Sequence, residues 1–183
     1  GAVAALAGAV YVAGQVVVYS GTGANFADAL NVAPALPDGL AKRVRWLPDA
    51  LADPASRPLE PVVRQQITDA YLRAWGQLDL SYQQGRPFGL ATYFGGPLLV
   101  QVREAGSVTV VGPYVVRQAS LGHELELTFY SDDGSAVGFT DHAARFVQQF
   151  TGRDPADTHF VETAGVYDVA MVLEQGRWRV RAW

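Results

Sequence analysis

The chain contains no cysteine and few charged residues. Without cysteine it can form no disulfide, no thiolate metal site and no cysteine nucleophile. Charged residues make up 17% of its 183 residues, whereas soluble proteins average about 25%. Because the net charge is −4 and no stretch is rich in lysine or arginine, we expect no nucleic-acid partner.

Familiar catalytic and cofactor motifs are also missing from the sequence. It has no G-x-S-x-G nucleophile elbow, no phosphate-binding Walker loop and no dinucleotide-binding fingerprint. Its three histidines, His123, His142 and His159, do not have the spacing of metal ligands. The sequence therefore predicts no metal site and no cofactor, and it assigns no catalytic residue.

Lysine and arginine are absent from the first 41 residues, and residues 2–19 carry no charge. As a helix, that run would measure about 27 Å at roughly 1.5 Å per residue, close to the thickness of a bilayer core. Small residues line one side of it, as in membrane helices that pack closely. We expect a transmembrane helix at residues 1–20; a soluble core element and a signal-peptide core are the alternatives. The packing residues would be Ala5, Gly8, Ala9 and Ala13.

The segment after this run, residues 21–60, is rich in proline, glycine and alanine, which predicts a linker without a long helix. Its N-terminal half lacks lysine and arginine, so a single-pass anchor would place the rest of the chain on the extracytoplasmic side. Trp46, Leu47 and Leu51 make the linker too apolar for a freely solvated tether. We expect it to lie against the domain, the membrane interface or a partner.

Residues 61–183 show first helical and then strand periodicity. Apolar residues recur at three- and four-residue steps between Pro61 and Gly85, which predicts a long amphipathic helix. A second helical stretch within Phe88–Ala105 must break or kink at the Gly-Gly-Pro sequence 95–97. Beyond it, alternation and turn residues predict antiparallel strands. These strands are Ser107–Val111, Tyr114–Ala119, His123–Ser131, Ser135–Phe146, Phe160–Glu174 and Arg177–Trp183.

The helix containing AYLRAW, the shorter second helix and the closing sequence YDVAMVLEQGRWRVRAW together resemble the nuclear transport factor 2-like superfamily over about residues 61–183. The resemblance implies an α+β cone in which helices pack on a curved antiparallel sheet. Its final hairpin would bury Trp178 and expose Arg177, Arg179 and Arg181. The superfamily includes ketosteroid isomerase, scytalone dehydratase and non-catalytic binding or assembly domains, so its fold does not fix function.

In the enzymes of that superfamily, Asp, His or Tyr acts as acid or base inside the cone. Adjacent residues on a regular strand point to opposite faces, so Asp141 and His142 cannot act as a pair if their strand is regular. His123, at a strand start, is expected at the surface, and Asp79 is expected to face solvent. The candidates of these types are Asp141, His142, His123, Asp79 with Tyr82, and Tyr93.

Aromatic residues offer a second kind of site. Tyr71, Trp75, Tyr93 and Phe94, together with Phe88, could line a ligand pocket at the mouth of the cone, although core packing is the simpler interpretation. The leading functional hypothesis is a non-catalytic, membrane-anchored accessory or assembly subunit, with the bilayer and other membrane-protein subunits as partners. The alternative is a small-molecule-binding domain or an isomerase- or dehydratase-like enzyme that uses the cone cavity.

Overall fold

The computed structural model describes residues 43–51, 57–108 and 110–183. The expected membrane helix, with its packing residues Ala5, Gly8, Ala9 and Ala13, lies outside these residues, as does most of the expected linker. Within the described ranges, no helix is both long and apolar enough to cross a bilayer.

Three helices precede most of the sheet: α1 (Pro61–Gln84), α2 (Leu90–Tyr93) and α3 (Gly96–Ser107). Pro61 suits the first turn of α1 because a proline lacks only an N–H that the helix would leave unbonded. Gly85 ends α1 in the left-handed conformation, with φ of 67°. The predicted break between the second and third helices is present, and Gly96 adopts a φ of +60° there.

Six strands form one sheet with the order β1-β3-β4-β5-β6, and β2 pairs with the start of β3. Neighbouring strands are antiparallel except for β1, which runs parallel to β3. Helices packed on this curved sheet confirm the α+β class. The strands are β1 (Val44–Trp46), β2 (Val110–Val111), β3 (Tyr114–Tyr130), β4 (Ala136–Thr151), β5 (Thr158–Glu174) and β6 (Arg177–Ala182).

Two strand predictions were wrong. Ser107 belongs to α3, so the strand expected at Ser107–Val111 is reduced to β2. The two strands expected at Tyr114–Ala119 and His123–Ser131 form one continuous strand, β3. Shifts in the β3–β4 register around Gly122 let the strand bend without ending.

A bulge in β4 determines which side chains enter the interior. Between Asp141 and Ala144, β4 advances three residues while β5 advances two, from Tyr167 to Gly165. Asp141 and Ala144 are both fully buried as a result, because the extra residue restores the inward orientation after the bulge. His142 lies between them and faces outward.

Part of the expected linker belongs to the sheet. Val44–Trp46 pairs with His123–Leu125, and the Trp46 indole donates a hydrogen bond to the Thr68 hydroxyl on α1 at 2.9 Å. Trp46 also packs edge-on against Phe139. The folded unit therefore begins before Pro61.

The closing hairpin has the predicted form. Gln175 and Gly176 have φ angles of 52° and 75°, as a tight two-residue turn requires. Trp178 is 5% exposed, while Arg177 and Arg181 face solvent. Arg179 differs from the expectation, because it is only partly exposed. Both Arg179 and Arg181 pair with Glu174.

Candidate functional site

The fully buried carboxylate of Asp141 is the centre of a polar network in the domain interior. Its Oδ2 atom accepts the hydroxyl of Tyr71 at 2.9 Å and lies 2.6 Å from Nδ1 of His123. Its Oδ1 atom accepts the backbone N–H groups of Glu124 and Ala143 at 3.2 and 3.3 Å. Four donors from α1, β3 and β4 thus hold one carboxylate, which fixes the positions of the two side chains bonded to it.

His123 is buried, contrary to the surface position expected from the sequence. It is 3% exposed, because the irregular register near Gly122 turns its ring toward α1. In the tautomer whose Nδ1–H donates to the Asp141 carboxylate, the lone pair of the ring is on Nε2. That Nε2 atom is buried and has no hydrogen-bond partner among the described residues.

Aromatic rings surround the imidazole. Tyr71 lies 5.2 Å and Trp75 5.4 Å from it between ring centroids. Burial raises the pKa of Tyr71 well above its usual range, and the charge of Asp141 raises it further, against an opposing effect of the Trp75 indole. The phenol therefore remains protonated at neutral pH and can act only as a donor to Asp141.

Phe94 and Tyr93 lie further along the same interior. Trp75 packs on Trp183, with ring centroids 5.0 Å apart, and Trp183 packs on Phe94 at 5.1 Å. Tyr93 is only partly buried, at the edge of the core. The structure thus brings Tyr71, Trp75 and Phe94 into one aromatic cluster with His123 and leaves Tyr93 at its margin.

Asp79 is buried, contrary to the expectation that it faces solvent; it is 8% exposed. Its carboxylate accepts the backbone N–H and the hydroxyl of Ser120, both at 2.8 Å, and the side-chain amide of Gln118 at 3.1 Å. Burial raises its pKa, and these hydrogen bonds oppose the rise. Asp79 thus accepts hydrogen bonds from the part of the β3 edge that lies between the segments paired with β1 and with β2. This role is structural.

The remaining candidates do not join the network. His142 bonds to Glu126 and His159 to Asp157, both near the surface. Tyr82 is half-buried, and its pKa is raised by burial and by the nearby Asp79. Asp141 and His142 form no pair, as the alternation of strand side chains predicted. Within the described ranges, no group of three or more His, Asp or Glu side chains could hold a metal ion.

A surface cavity of about 640 Å³ lies beside the β3–β4 segment that carries the network. Its lining includes Gly122 and His123 together with three arginines, Arg43, Arg45 and Arg145. Arg45 pairs with Glu124 and Arg145 with Glu162, each largely in contact with solvent. The wall of this cavity is basic, although the whole chain is acidic.

The network has the composition of an acid–base site. A carboxylate that binds Nδ1 of a histidine orients the ring and leaves Nε2 as a base. The sequence could not reveal this grouping, because Tyr71, His123 and Asp141 are distant in the chain. Only the sheet register and the β4 bulge bring them together.

No family model and no curated protein matches the chain. Similar solved structures include the intermembrane-space region of the chloroplast protein ARC6, at 11% identity and a TM-score of 0.48, covering 68% of this chain and 95% of that one. Aln2 from a Streptomyces species is 16% identical, with a TM-score of 0.43 and coverages of 68% and 90%. Kfla4162 from Kribbella flavida is 16% identical, with a TM-score of 0.41 and coverages of 65% and 86%. Similarity at this level assigns no function.

Proposed function

We propose that the described domain is a nuclear transport factor 2-like cone that binds a small molecule in its interior, with His123 as the residue that meets the ligand. The observation that carries this proposal is the unpartnered Nε2 atom of His123, buried beside Trp75. A buried polar atom without a partner costs about 1–3 kcal/mol. A ligand with a hydroxyl group or another acidic proton would supply the missing hydrogen bond.

The surroundings of Nε2 favour a flat, largely apolar ligand. Trp75 is in ring contact with Phe146, Tyr167 and Trp183 as well as with His123. Binding pockets for small molecules combine such aromatic walls with a few convergent polar groups. The proton transfer that an Asp141–His123 pair supports is abstraction of the ligand's acidic proton by Nε2, with Asp141 stabilising the resulting imidazolium.

The proposal is tested by nitrogen-15 NMR of the three histidine rings during titration with 2-naphthol and with phenol as probes. We expect His123 to carry its proton on Nδ1 in the free protein. Binding of a probe should shift the His123 Nε2 resonance and change the tryptophan fluorescence, to which Trp75 contributes, while the His142 and His159 resonances stay unchanged. His123→Phe should abolish the response, and His142→Gln is the matched surface control.

Three outcomes would contradict this function. The first is a His123 ring that carries its proton on Nε2 in the free protein, because Nε2 could then not accept one. The second is a probe response that persists in His123→Phe. The third is binding of both probes without a change in the His123 resonances, which would place the ligand site elsewhere.

As a second proposal, the chain is a membrane-anchored accessory subunit. It is supported by the uncharged run at residues 2–19 with its small-residue face at Ala5, Gly8, Ala9 and Ala13. An anchor of this kind is compatible with a ligand-binding domain. Purification of the full chain from its native membrane should recover other membrane-protein subunits with it. A chain recovered in the aqueous fraction would contradict this proposal.

A further inference from the structure

Along more than half of its length, one edge of β5 pairs with no strand in the part of the chain that the structure describes. β4 covers one side of β5 from Thr158 to Val172. On the other side, β6 pairs only with Ala170–Glu174. No described strand pairs with residues 158–169 on that side, although Phe160 and Val166 there are 68% and 67% exposed. An exposed apolar edge of this length is a template for pairing with another strand.

The backbone groups that face the open side can be identified. Leu173 donates its N–H to the carbonyl of Ser135, which precedes β4. Because N–H directions alternate along a strand, odd-numbered residues of β5 face β4 and even-numbered residues face away. The extra residue at the bulge belongs to β4, so this alternation continues through β5. The outward-facing residues are Thr158, Phe160, Glu162, Ala164, Val166 and Asp168.

This edge is complementary to itself. Its midpoint is Thr163, so a two-fold axis there would pair every outward-facing residue with one from a second copy in antiparallel orientation. Phe160 would lie opposite Val166 of the second copy, and Glu162 opposite Ala164. Thr158 would lie opposite Asp168. No two carboxylates face each other in this register, and two apolar pairs form on the outer face.

Neighbouring registers are less favourable. A shift of two residues in one direction places Glu162 opposite itself, which is a like-charge pair. The same shift in the other direction places Phe160 opposite Asp168. The two acidic side chains on this edge are already engaged within the chain, Glu162 by Arg145 and Asp168 by the hydroxyl of Thr140. They therefore do not block the central register.

We propose that two copies of this chain associate through their β5 edges, about a two-fold axis at Thr163, to form one continuous sheet across the dimer. The interface consists of backbone hydrogen bonds from the six outward-facing residues and the contacts of Phe160 with Val166. It leaves the His123–Asp141–Tyr71 network of each copy in its own interior.

Disulfide trapping tests both the pairing and its register in the full chain. At the axis, Thr163 of each copy occupies a non-hydrogen-bonded pair, in which Cα atoms are about 4.5 Å apart, within the range of a disulfide. Because the chain has no cysteine, Thr163→Cys introduces a single reactive position. Mild oxidation should convert this variant to a covalent dimer several-fold faster than Ala164→Cys, which faces Glu162 in the proposed register.

A second variant tests the hydrogen bonds. The N–H of Ala164 faces the open edge, so Ala164→Pro removes it without costing a bond to β4. Light scattering should show a dimer for the wild type and for Ala164→Gly, which keeps the N–H, and a monomer for Ala164→Pro. A monomeric wild type would overturn the proposal. Equal cross-linking of the two cysteine variants, or an oligomer that Ala164→Pro leaves intact, would place any self-association elsewhere on the chain.

Discussion

At the scale of single residues, the domain contains two buried carboxylates with different surroundings. Asp141 accepts four hydrogen bonds and contacts a histidine and a tyrosine beside aromatic rings. Asp79 contacts only Gln118 and Ser120 at a strand edge. The first arrangement positions a histidine whose Nε2 atom has no described partner, whereas the second completes the bonding of the β3 edge at a point that no described strand covers on that side.

The raised pKa of Asp79 predicts a pH-dependent stability. In the unfolded chain the pKa of this carboxyl group is about 3.9, and burial raises its pKa in the folded state. Between the two pKa values, the folded state binds more protons at Asp79 than the unfolded state does. The contribution of Asp79 to the free energy of unfolding therefore falls as pH rises through that window, and it is constant above the window. The Asp79→Asn variant cannot titrate at this position and therefore does not lose stability in this way. Its free energy of unfolding, minus that of the wild type, should therefore increase from about pH 4 upward, by about 1.4 kcal/mol for each pH unit that separates the folded and unfolded pKa values.

Urea unfolding at a series of pH values measures this difference. Ser120→Ala provides a second point, because it removes a hydroxyl bond that lowers the pKa of Asp79. The loss of stability with rising pH should be larger in this variant than in the wild type. Parallel pH profiles for the wild type and Asp79→Asn would contradict a raised pKa.

At the scale of single elements, the turn of the β5–β6 hairpin predicts one stabilising and one destabilising substitution. Gln175 is the only described non-glycine residue with a positive φ, a conformation that costs an ordinary side chain about 1–2 kcal/mol. Asparagine tolerates this conformation, so Gln175→Asn should raise the free energy of unfolding by about 0.5–1 kcal/mol. Gly176→Ala should lower it by about 1 kcal/mol, through strain alone, because a Cβ atom there meets no neighbour within 4 Å. Urea unfolding measures both changes, and equal stability of the two variants would contradict a strained turn.

This hairpin and α1 were predictable because their signals are local. Alternation around Gln175 and Gly176 indicates the turn, and the four-residue spacing of Ile67, Tyr71 and Trp75 indicates the buried face of α1. Patterns of this kind depend on residues that lie close together in the chain. The α+β class follows from the same patterns.

The position of His123 was not predictable, because it depends on contacts distant in sequence. The sequence pattern predicted that one strand ends at Ala119 and another begins at His123, whereas β3 continues between them through a register shift beside β1. The inward orientation of Asp141 and Ala144 likewise depends on the β4 bulge, which a strictly alternating pattern does not reveal. The grouping of the candidate site residues therefore depends on the strand registers.

At the scale of the whole molecule, the segment before α1 is part of the fold and supports the site. β1 pairs with His123–Leu125, the segment of β3 that carries the buried histidine. Trp46 holds β1 in place through its hydrogen bond to Thr68 and its contact with Phe139, and the Arg64 guanidinium stacks on its ring at 4.5 Å. Stability of the domain and order at His123 are thus linked through one tryptophan.

Trp46→Ala should therefore lower the free energy of unfolding by about 3 kcal/mol, the low end of the range for tryptophan truncation, because Trp46 is only partly buried. The loss of its packing should also release β1, so amide hydrogen exchange at residues 123–125 should accelerate more than exchange in β6. Arg45→Ala, a change at an exposed position of the same strand, is the matched control and should leave both quantities nearly unchanged. If Trp46→Ala destabilises the chain but exchange at 123–125 follows global unfolding, β1 contributes to the core without specifically ordering the site. If neither quantity changes, the folded unit begins at α1, and the support for His123 comes from Asp141 and Tyr71 alone.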